Sequence, residues 1–482
     1  MSTLTRLPEL VINPNILAME YAVRGPIPQR AAALRGQGRS TIPCNIGNPQ
    51  ALGQPPLAYF RQLLGLVEVP GRIARERRLN ALWQAGRLDG VEADDLVNES
   101  LLARAEDYLR QLESGMGAYT DSTGPVFVRE AIAAFIDRRD GADGRGRPFA
   151  DPGQIFLTDG ASEAARSIIE MLVADPSDGI MIPIPQYPLY SATIRKVGGV
   201  QVDYYLDEEA GWSLDRAELE ASLAAARAQG VRVKAIVAIN PGNPTGAILD
   251  QAGVDEIVDF AAENGLLIIA DEVYQENVYG ARFVSFAQRV GDRPVPLVSL
   301  HSISKGFVGE CGHRGGYMEI RNPPPVAGGT QNLVQVATKQ ASVALCSNTV
   351  GQCLTWLMVN PPEAGSEAHR RYVAERQQIL DDLHAKATMI RAAFDQMAGV
   401  ECFGRTGAMY LFPRLGRLPD GSSDFDYCMQ LLETTGLTTV NGSGFGQRPG
   451  SQHLRIAFLP PKPMLEAVLP AWIDFHRSYV GG

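Results

Sequence analysis

The chain has 482 residues, 45% of them hydrophobic and 20% charged, with a formal net charge of −10. That length supports a large core and two domains, the composition is ordinary for a globular protein, and the acidic balance argues against a nucleic-acid footprint. No apolar run is long enough to predict a membrane span, the opening MSTLTRLPEL lacks a signal-peptide core, and the six cysteines form no CxxC pair, so free thiols and a cytoplasmic location are expected.

Along the chain, the N-terminal stretch to residue 45 carries prolines and arginines and is expected as an arm or as part of a smaller domain. Residues 68–113 are charged and helical in pattern, with no assignable position. From there to residue 320, strand-like runs recur: QIFLTDG (154–160), GIMIPIP (179–185), VKAIVAIN (233–240), LLIIADE (266–272) and LVSLHSIS (297–304). Helix-like segments separate several of them. In ASEAARSIIEMLVA the apolar positions 161, 164, 165, 168, 169 and 172 fall on one helical face, and DQAGVDEIVDFAAENG (250–265) reads the same way. Short continuous apolar strands alternating with helices predict an α/β fold with a mostly parallel sheet, covered on both faces. Residues 365–398 read as one long helix, followed by strand signals in AMYLFPR (408–414), LTTVNG (437–442) and HLRIAFLP (453–460). The expected division is an N-terminal arm and part of the small domain (1–50), a large domain (51–355) and a small α+β domain (356–482).

In such sheets ligands bind at the carboxyl ends of the strands. After the first run, Ala161 and Ser162 open a helix. Their position suits an anion, although a serine there is more often only a cap. PQYPLY (185–190) holds Tyr187 on a stiff loop, where it can stack on a planar ring or simply fill the loop. NPGNPTG (240–246) fixes the amide of Asn243 in a turned loop. Asp271 ends an apolar strand, and a buried carboxylate there needs a cation, from a ligand or from lysine or arginine. Tyr274 follows three residues later. Lys305, in SISK, stands at a strand end among small residues and is a candidate nucleophile toward aldehydes, though an isolated lysine is usually structural or solvated. Ser302 and Arg314 beside it would complete an anion site. Cys311 and His313 lie close together but lack a second ligand pair, so no metal is expected. One ligand uses the whole set: pyridoxal phosphate, which needs a lysine for a Schiff base and an acid for its pyridinium nitrogen.

Together these stretches resemble the class I/II, fold-type I aminotransferases over residues 15–475, and are most similar to the alanine aminotransferase branch. IPIPQYPLYSAT, NPGNPTG, ADEVYQENVY, SKGFVGECGHRGGY, GAMYLFPR and GSGFGQR carry the likeness. The resemblance implies a large pyridoxal-phosphate domain with a small domain, and transamination between L-alanine and 2-oxoglutarate. It implies that Lys305 bonds the cofactor and then shuttles the substrate proton, and that Asp271 holds the pyridinium proton. Tyr274 and Asn243 would bond the phenolic oxygen, Tyr187 would stack on the ring, and Ala161, Ser162, Ser302 and Arg314 would bind the phosphate. Arg455 would clamp the substrate carboxylate with the backbone near Gly47, and Tyr119 would reach the phosphate of a neighbouring subunit in a homodimer. His313 stands where animal members carry tyrosine. GSGFG (442–446) lacks a following helix, so it reads as a turn between strands and not as a dinucleotide loop. Glutamate–glyoxylate or another amino-acid transamination is the alternative, with a pyridoxal-phosphate lyase or a non-catalytic regulator more distant.

Overall fold

The structure, a computed structural model, describes residues 10–19, 25–92, 96–141 and 149–481. A short strand near the N-terminus, β1 (Ile42–Pro43), precedes the strands of the central sheet. These are β2 (Ile155–Thr158), β3 (Asp178–Ile184), β4 (Val200–Tyr205), β5 (Arg232–Ile239), β6 (Leu267–Asp271), β7 (Leu297–Ser302) and β8 (Gly316–Arg321). Their order is β2-β8-β7-β6-β5-β3-β4. The strands from β3 to β7 pair in parallel, whereas β8 is antiparallel to both β7 and β2. β2 therefore runs in the same direction as β7, and all the predicted strands end at one edge.

The period-two alternation of strand side chains sorts the core into two layers. Ile180, Ile182, Val237 and Ile269 pack on one side with Ile168 and Ile169 of the helix Ala161–Leu172. Met181, Ile236, Ala238 and Ile268 face the other side, against Leu219 of Arg216–Ala228 and Ile257 of Gln251–Asn264. Two strands of this sheet went unread in the sequence. β4 is a half-buried edge, and β8 begins at the second glycine after Arg314, in a stretch read for its site residues.

The C-terminal part begins with the expected long helix, Glu367–Phe394, started by the side chain of Ser366 accepting from His369 N–H. Its strands are β9 (Val400–Glu401), β10 (Tyr410–Leu411), β11 (Arg414–Leu415), β12 (Leu437–Thr438), β13 (Val440–Asn441) and β14 (Leu454–Ala457). They form small sheets: β10-β14-β13, β11-β9, and β12 paired in parallel with β1. The N-terminal chain thus joins this part. Arg30 of the helix Pro26–Gly36 and Arg39 just beyond it both pair with Glu433. The segment 442–446 is the expected turn between strands, β13 and β14. Residues 68–113 include the helices Gly71–Gln84 and Glu99–Leu112, tied by ion pairs from Arg77 to Glu99 and Glu106. Among the described residues, no helix is long and apolar enough to cross a membrane.

Candidate active site

The shared strand edge opens on a cavity of about 800 Å³, bounded on its other side by β1, β10 and β14. Lys305 lies three residues beyond β7. Its Nζ donates to the carbonyl of Gly47 at 2.6 Å and stands 5.9 Å from the centre of the Tyr274 ring. A β-carbon at position 47 would collide with the Tyr410 hydroxyl and come within 3.0 Å of Lys305 Nζ, so the backbone can approach the amine only as glycine.

Asp271, the last residue of β6, is 6% exposed. Its Oδ2 accepts the Tyr190 hydroxyl at 2.8 Å. Burial raises its pKa, and the bonds from Tyr190 and the Val273 N–H, with the Lys305 charge, offset that only in part. A buried carboxylate whose charge is this incompletely compensated calls for a cationic N–H donor.

The Tyr274 hydroxyl meets that of Tyr410 at 3.3 Å. Burial, then the neighbouring Tyr410, hold the Tyr274 phenol well above its ordinary pKa. Burial also pushes Tyr410 up, but the charges of Lys305 and Arg455 and the bond from Tyr274 outweigh it, so that its pKa is lowered. Tyr274 is accordingly the donor of the pair.

Arg455, in the middle of β14, is 1% exposed. Its guanidinium lies between the rings of Tyr410 (4.3 Å) and Phe445 (4.7 Å). One terminal nitrogen donates to Asn243 Oδ1 at 3.1 Å and the other to the Asn45 carbonyl at 2.6 Å, while the buried Nε has no partner. The bond to Asn243 commits that amide's oxygen and leaves its nitrogen as a donor.

At the other end of the cavity, Gly160 (φ +83°) turns the chain into the helix Ala161–Leu172. The N–H groups of Ala161 and Ser162 lie in its first turn, where the helix offers them no carbonyl. Arg314, itself left-handed at φ +49°, is pinned across this helix start by bonds to the carbonyls of Cys311 (3.0 Å) and Asp159 (2.7 Å). A β-carbon on Gly160 would come within 2.7 Å of that guanidinium. Helix N–H groups facing an arginine make an anion cradle. Ser302 lines the same end, with its hydroxyl 3.1 Å from the Gly315 carbonyl and 3.0 Å from the Ser304 hydroxyl.

The structure thus brings to one cavity Gly47, Ala161, Ser162, Tyr187, Asn243, Asp271, Tyr274, Ser302, Lys305, Arg314 and Arg455. It does not bring Tyr119, which is 75% exposed and outside the cavity wall. His313 also lies outside that wall. Its Nδ1 is 2.8 Å from Glu310, which Arg61 grips with two bonds of 2.9 and 3.0 Å. Sequence reasoning missed Tyr190, Asn45, Tyr410 and the cavity-facing side of Pro26–Gly36. Tyr410 sits inside an apolar run, where an aromatic residue reads as core, and Tyr190 ends a loop read only for Tyr187; the helix reaches the site through tertiary packing, which leaves no local signal. The donor set fits pyridoxal phosphate: an anion cradle, a reachable amine, and a buried carboxylate at the opposite end.

The family model described as "Aminotransferase class I and II" matches residues 82–469. A protein of Dictyostelium discoideum described as a probable mitochondrial alanine aminotransferase is 43% identical over 97% of this chain and 88% of its own length. Glutamate–glyoxylate aminotransferase 1 of Arabidopsis thaliana is 40% identical over 97% of this chain and 95% of its own. The solved structure of an alanine aminotransferase from Pyrococcus furiosus superposes with a TM-score of 0.77 at 25% identity, covering 97% of this chain and all of that one. Matched in its sequence motifs, its fold and nearly its full length, the chain belongs to the aminotransferase class I and II family and is a transaminase that works with pyridoxal phosphate.

Proposed function

We propose that this transaminase exchanges the amino group between L-alanine and 2-oxoglutarate, giving pyruvate and L-glutamate in two half-reactions. The observation behind an amino-acid substrate is the buried guanidinium of Arg455, whose Nε has no protein partner and which lines the same cavity as Lys305. A carboxylate satisfies it. The alanine assignment rests on the likeness to proteins described as alanine aminotransferases, and the glutamate–glyoxylate relative keeps that reaction as the second reading.

Bound pyridoxal phosphate supplies an electron-withdrawing ring that makes the substrate Cα proton labile. Lys305 Nζ is the amine that would hold the cofactor, and the base that would take the proton from the substrate Cα. Asp271 would hold the proton on the ring nitrogen, because among the described residues its buried carboxylate has no other cationic N–H donor bonded to it. The Asn243 amide nitrogen would donate to the phenolic oxygen, as would the Tyr274 hydroxyl once turned from Tyr410, and Tyr187 would stack on the ring. Ala161, Ser162, Ser302 and Arg314 hold the phosphate. Arg455 orients the substrate carboxylate, helped by the backbone at Gly47. The exposed Tyr119 completes the phosphate site of a second copy in a homodimer. The division into a large domain (51–355) and a small one (356–482 with 1–50) is supported by the pairing of β1 with β12.

The test is a panel of amino donors assayed with 2-oxoglutarate and with glyoxylate. Alanine with 2-oxoglutarate should give the highest kcat/KM; a clear preference for glyoxylate moves the assignment to the second reading. Given amino acid alone, a transaminase releases about one equivalent of 2-oxo acid per site and stops. Continued turnover without acceptor points to a lyase.

A further inference from the structure

His453 lies two residues before Arg455, directly before β14, and is 2% exposed. Both of its ring nitrogens meet oxygen. Nε2 is 2.9 Å from Glu208 Oε1, and Nδ1 is 2.9 Å from Gln447 Oε1. The amide of Gln447 cannot turn to offer its nitrogen instead, because Nε2 of that amide is committed to the carboxylate of Asp424 at 3.0 Å. Asp424 is held in turn by the Ser443 N–H (2.8 Å) and hydroxyl (2.9 Å). A neutral imidazole carries one donor and one acceptor, so two acceptors around one ring require a hydrogen on both nitrogens. Aromatic rings enclose the imidazole, and Arg414 shares the Glu208 carboxylate with it. Phe412 stacks on it at 4.8 Å, Trp212 lies at 5.8 Å, and Arg414 stands 3.7 Å from Glu208 on the far side of that carboxylate.

This clamp joins two parts of the fold. Glu208 belongs to the segment between β4 and the helix Arg216–Ala228, whereas Gln447 belongs to the turn after β13. The same turn carries Phe445, whose carbonyl accepts from the Gln186 N–H at 2.8 Å and whose ring supports the Arg455 guanidinium. Phe412 bridges the two rings, stacked on His453 and edge-on to Phe445 at 6.0 Å.

We propose that His453 is a positioning residue for Arg455: an imidazolium held between Glu208 and Gln447 fixes the 442–447 turn, and the turn fixes the aromatic floor under the guanidinium. The inference rests on the reading of Arg455 as the substrate-carboxylate residue. Losing the clamp lets Phe445 and the guanidinium drift. The cost then falls on binding of both amino and oxo acids, while the reaction of bound substrate and the affinity for cofactor stay as they were.

The test uses the full-length holoenzyme. His453→Gln should raise KM for alanine and for 2-oxoglutarate by about tenfold each, the order expected from losing a hydrogen bond to a charged group, with kcat changed by less than about twofold. Glu208→Gln, which leaves the small sheets untouched and lies at a more exposed position, should move KM the same way by a smaller factor. The double variant should fall short of the product of the two. In holoenzyme labelled with ¹⁵N-histidine at neutral pH, the His453 ring should show both nitrogens protonated, and Glu208→Gln should weaken that signature. A neutral-tautomer pattern in the parent, a kcat or cofactor-affinity loss without a KM change, or unmoved KM in a folded Glu208→Gln protein overturns the inference. Arg455→Lys serves as the control. If it raises KM and His453→Gln does not, this inference alone fails; if Arg455→Lys leaves KM unchanged, the substrate role of Arg455 fails and takes the inference with it.

Discussion

Replacing Arg455 by lysine tests the substrate end of the site directly. The guanidinium spends two of its five N–H groups on Asn243 and the Asn45 carbonyl and keeps the rest, including the unpartnered Nε–H, for a ligand. An ammonium has three donors radiating from one point. With the same two acceptors in place it keeps one, and a two-pronged grip on a carboxylate is lost. It also gives up the flat contact between Tyr410 and Phe445. One charge-assisted hydrogen bond is worth about 1.5–3 kcal/mol, so affinity should fall by about ten- to a hundredfold. The loss should be shared by amino and oxo acids, since both carry the carboxylate. The assay is spectroscopic titration of the holoenzyme with each substrate, alongside a separate measurement of cofactor affinity, which should not change. A variant that releases pyridoxal phosphate yet keeps its substrate affinity refutes the assignment.

Lys305→Ala should still bind the cofactor but lose the covalent bond that borohydride traps, and turnover should drop by at least about 10²–10⁴-fold; a near-normal rate with a trapped adduct means another lysine does the work. Asp271→Ala should bind cofactor and transaminate poorly, with Asp271→Glu less impaired, and equal rates in the Ala variant and the parent exclude the pyridinium role. Tyr119→Ala should weaken cofactor binding, and refolding it with Lys305→Ala should recover activity in mixed dimers, where one site collects both defects and the other none; heterodimers without recovered activity mean that Tyr119 serves its own subunit. Glu272, the residue directly after β6 and 1% exposed, is pushed up to about 7 by burial, which Arg139 and the Phe286 N–H only partly offset. Its folded pKa exceeds the unfolded value of about 4.3, so ionising it costs stability as pH rises through that window and nothing below it. Glu272→Gln should therefore match the parent in thermal stability at pH 4 and exceed it at pH 8, by on the order of 3–4 kcal/mol; an advantage independent of pH would contradict this.

Sequence alone carried the chemistry of the large sheet because that chemistry is local. A parallel strand buried on both faces must be a short apolar run, and whatever follows it stands at the carboxyl edge. Asp271, Asn243 and Lys305 were legible for that reason, each a polar residue that a strand end alone does not need. The turn at 442–446 was legible from its glycines and the missing helix after it. Long-range placement was another matter. That β8 runs antiparallel, so that β2 ends at the same edge as its neighbours, depends on pairing between residues about 160 apart, and hydrophobic period does not encode the partner or direction of a strand. The delivery of Gly47 to Lys305, the seating of Tyr190 on Asp271 and the stacking of Tyr410 under Arg455 follow from how the N-terminal chain and the small sheets close over the large one. Buried tyrosines and a backbone carbonyl look like core and loop in a one-dimensional string. Only burial beside an unpaired charge gives them a function, and that charge comes from a distant part of the chain.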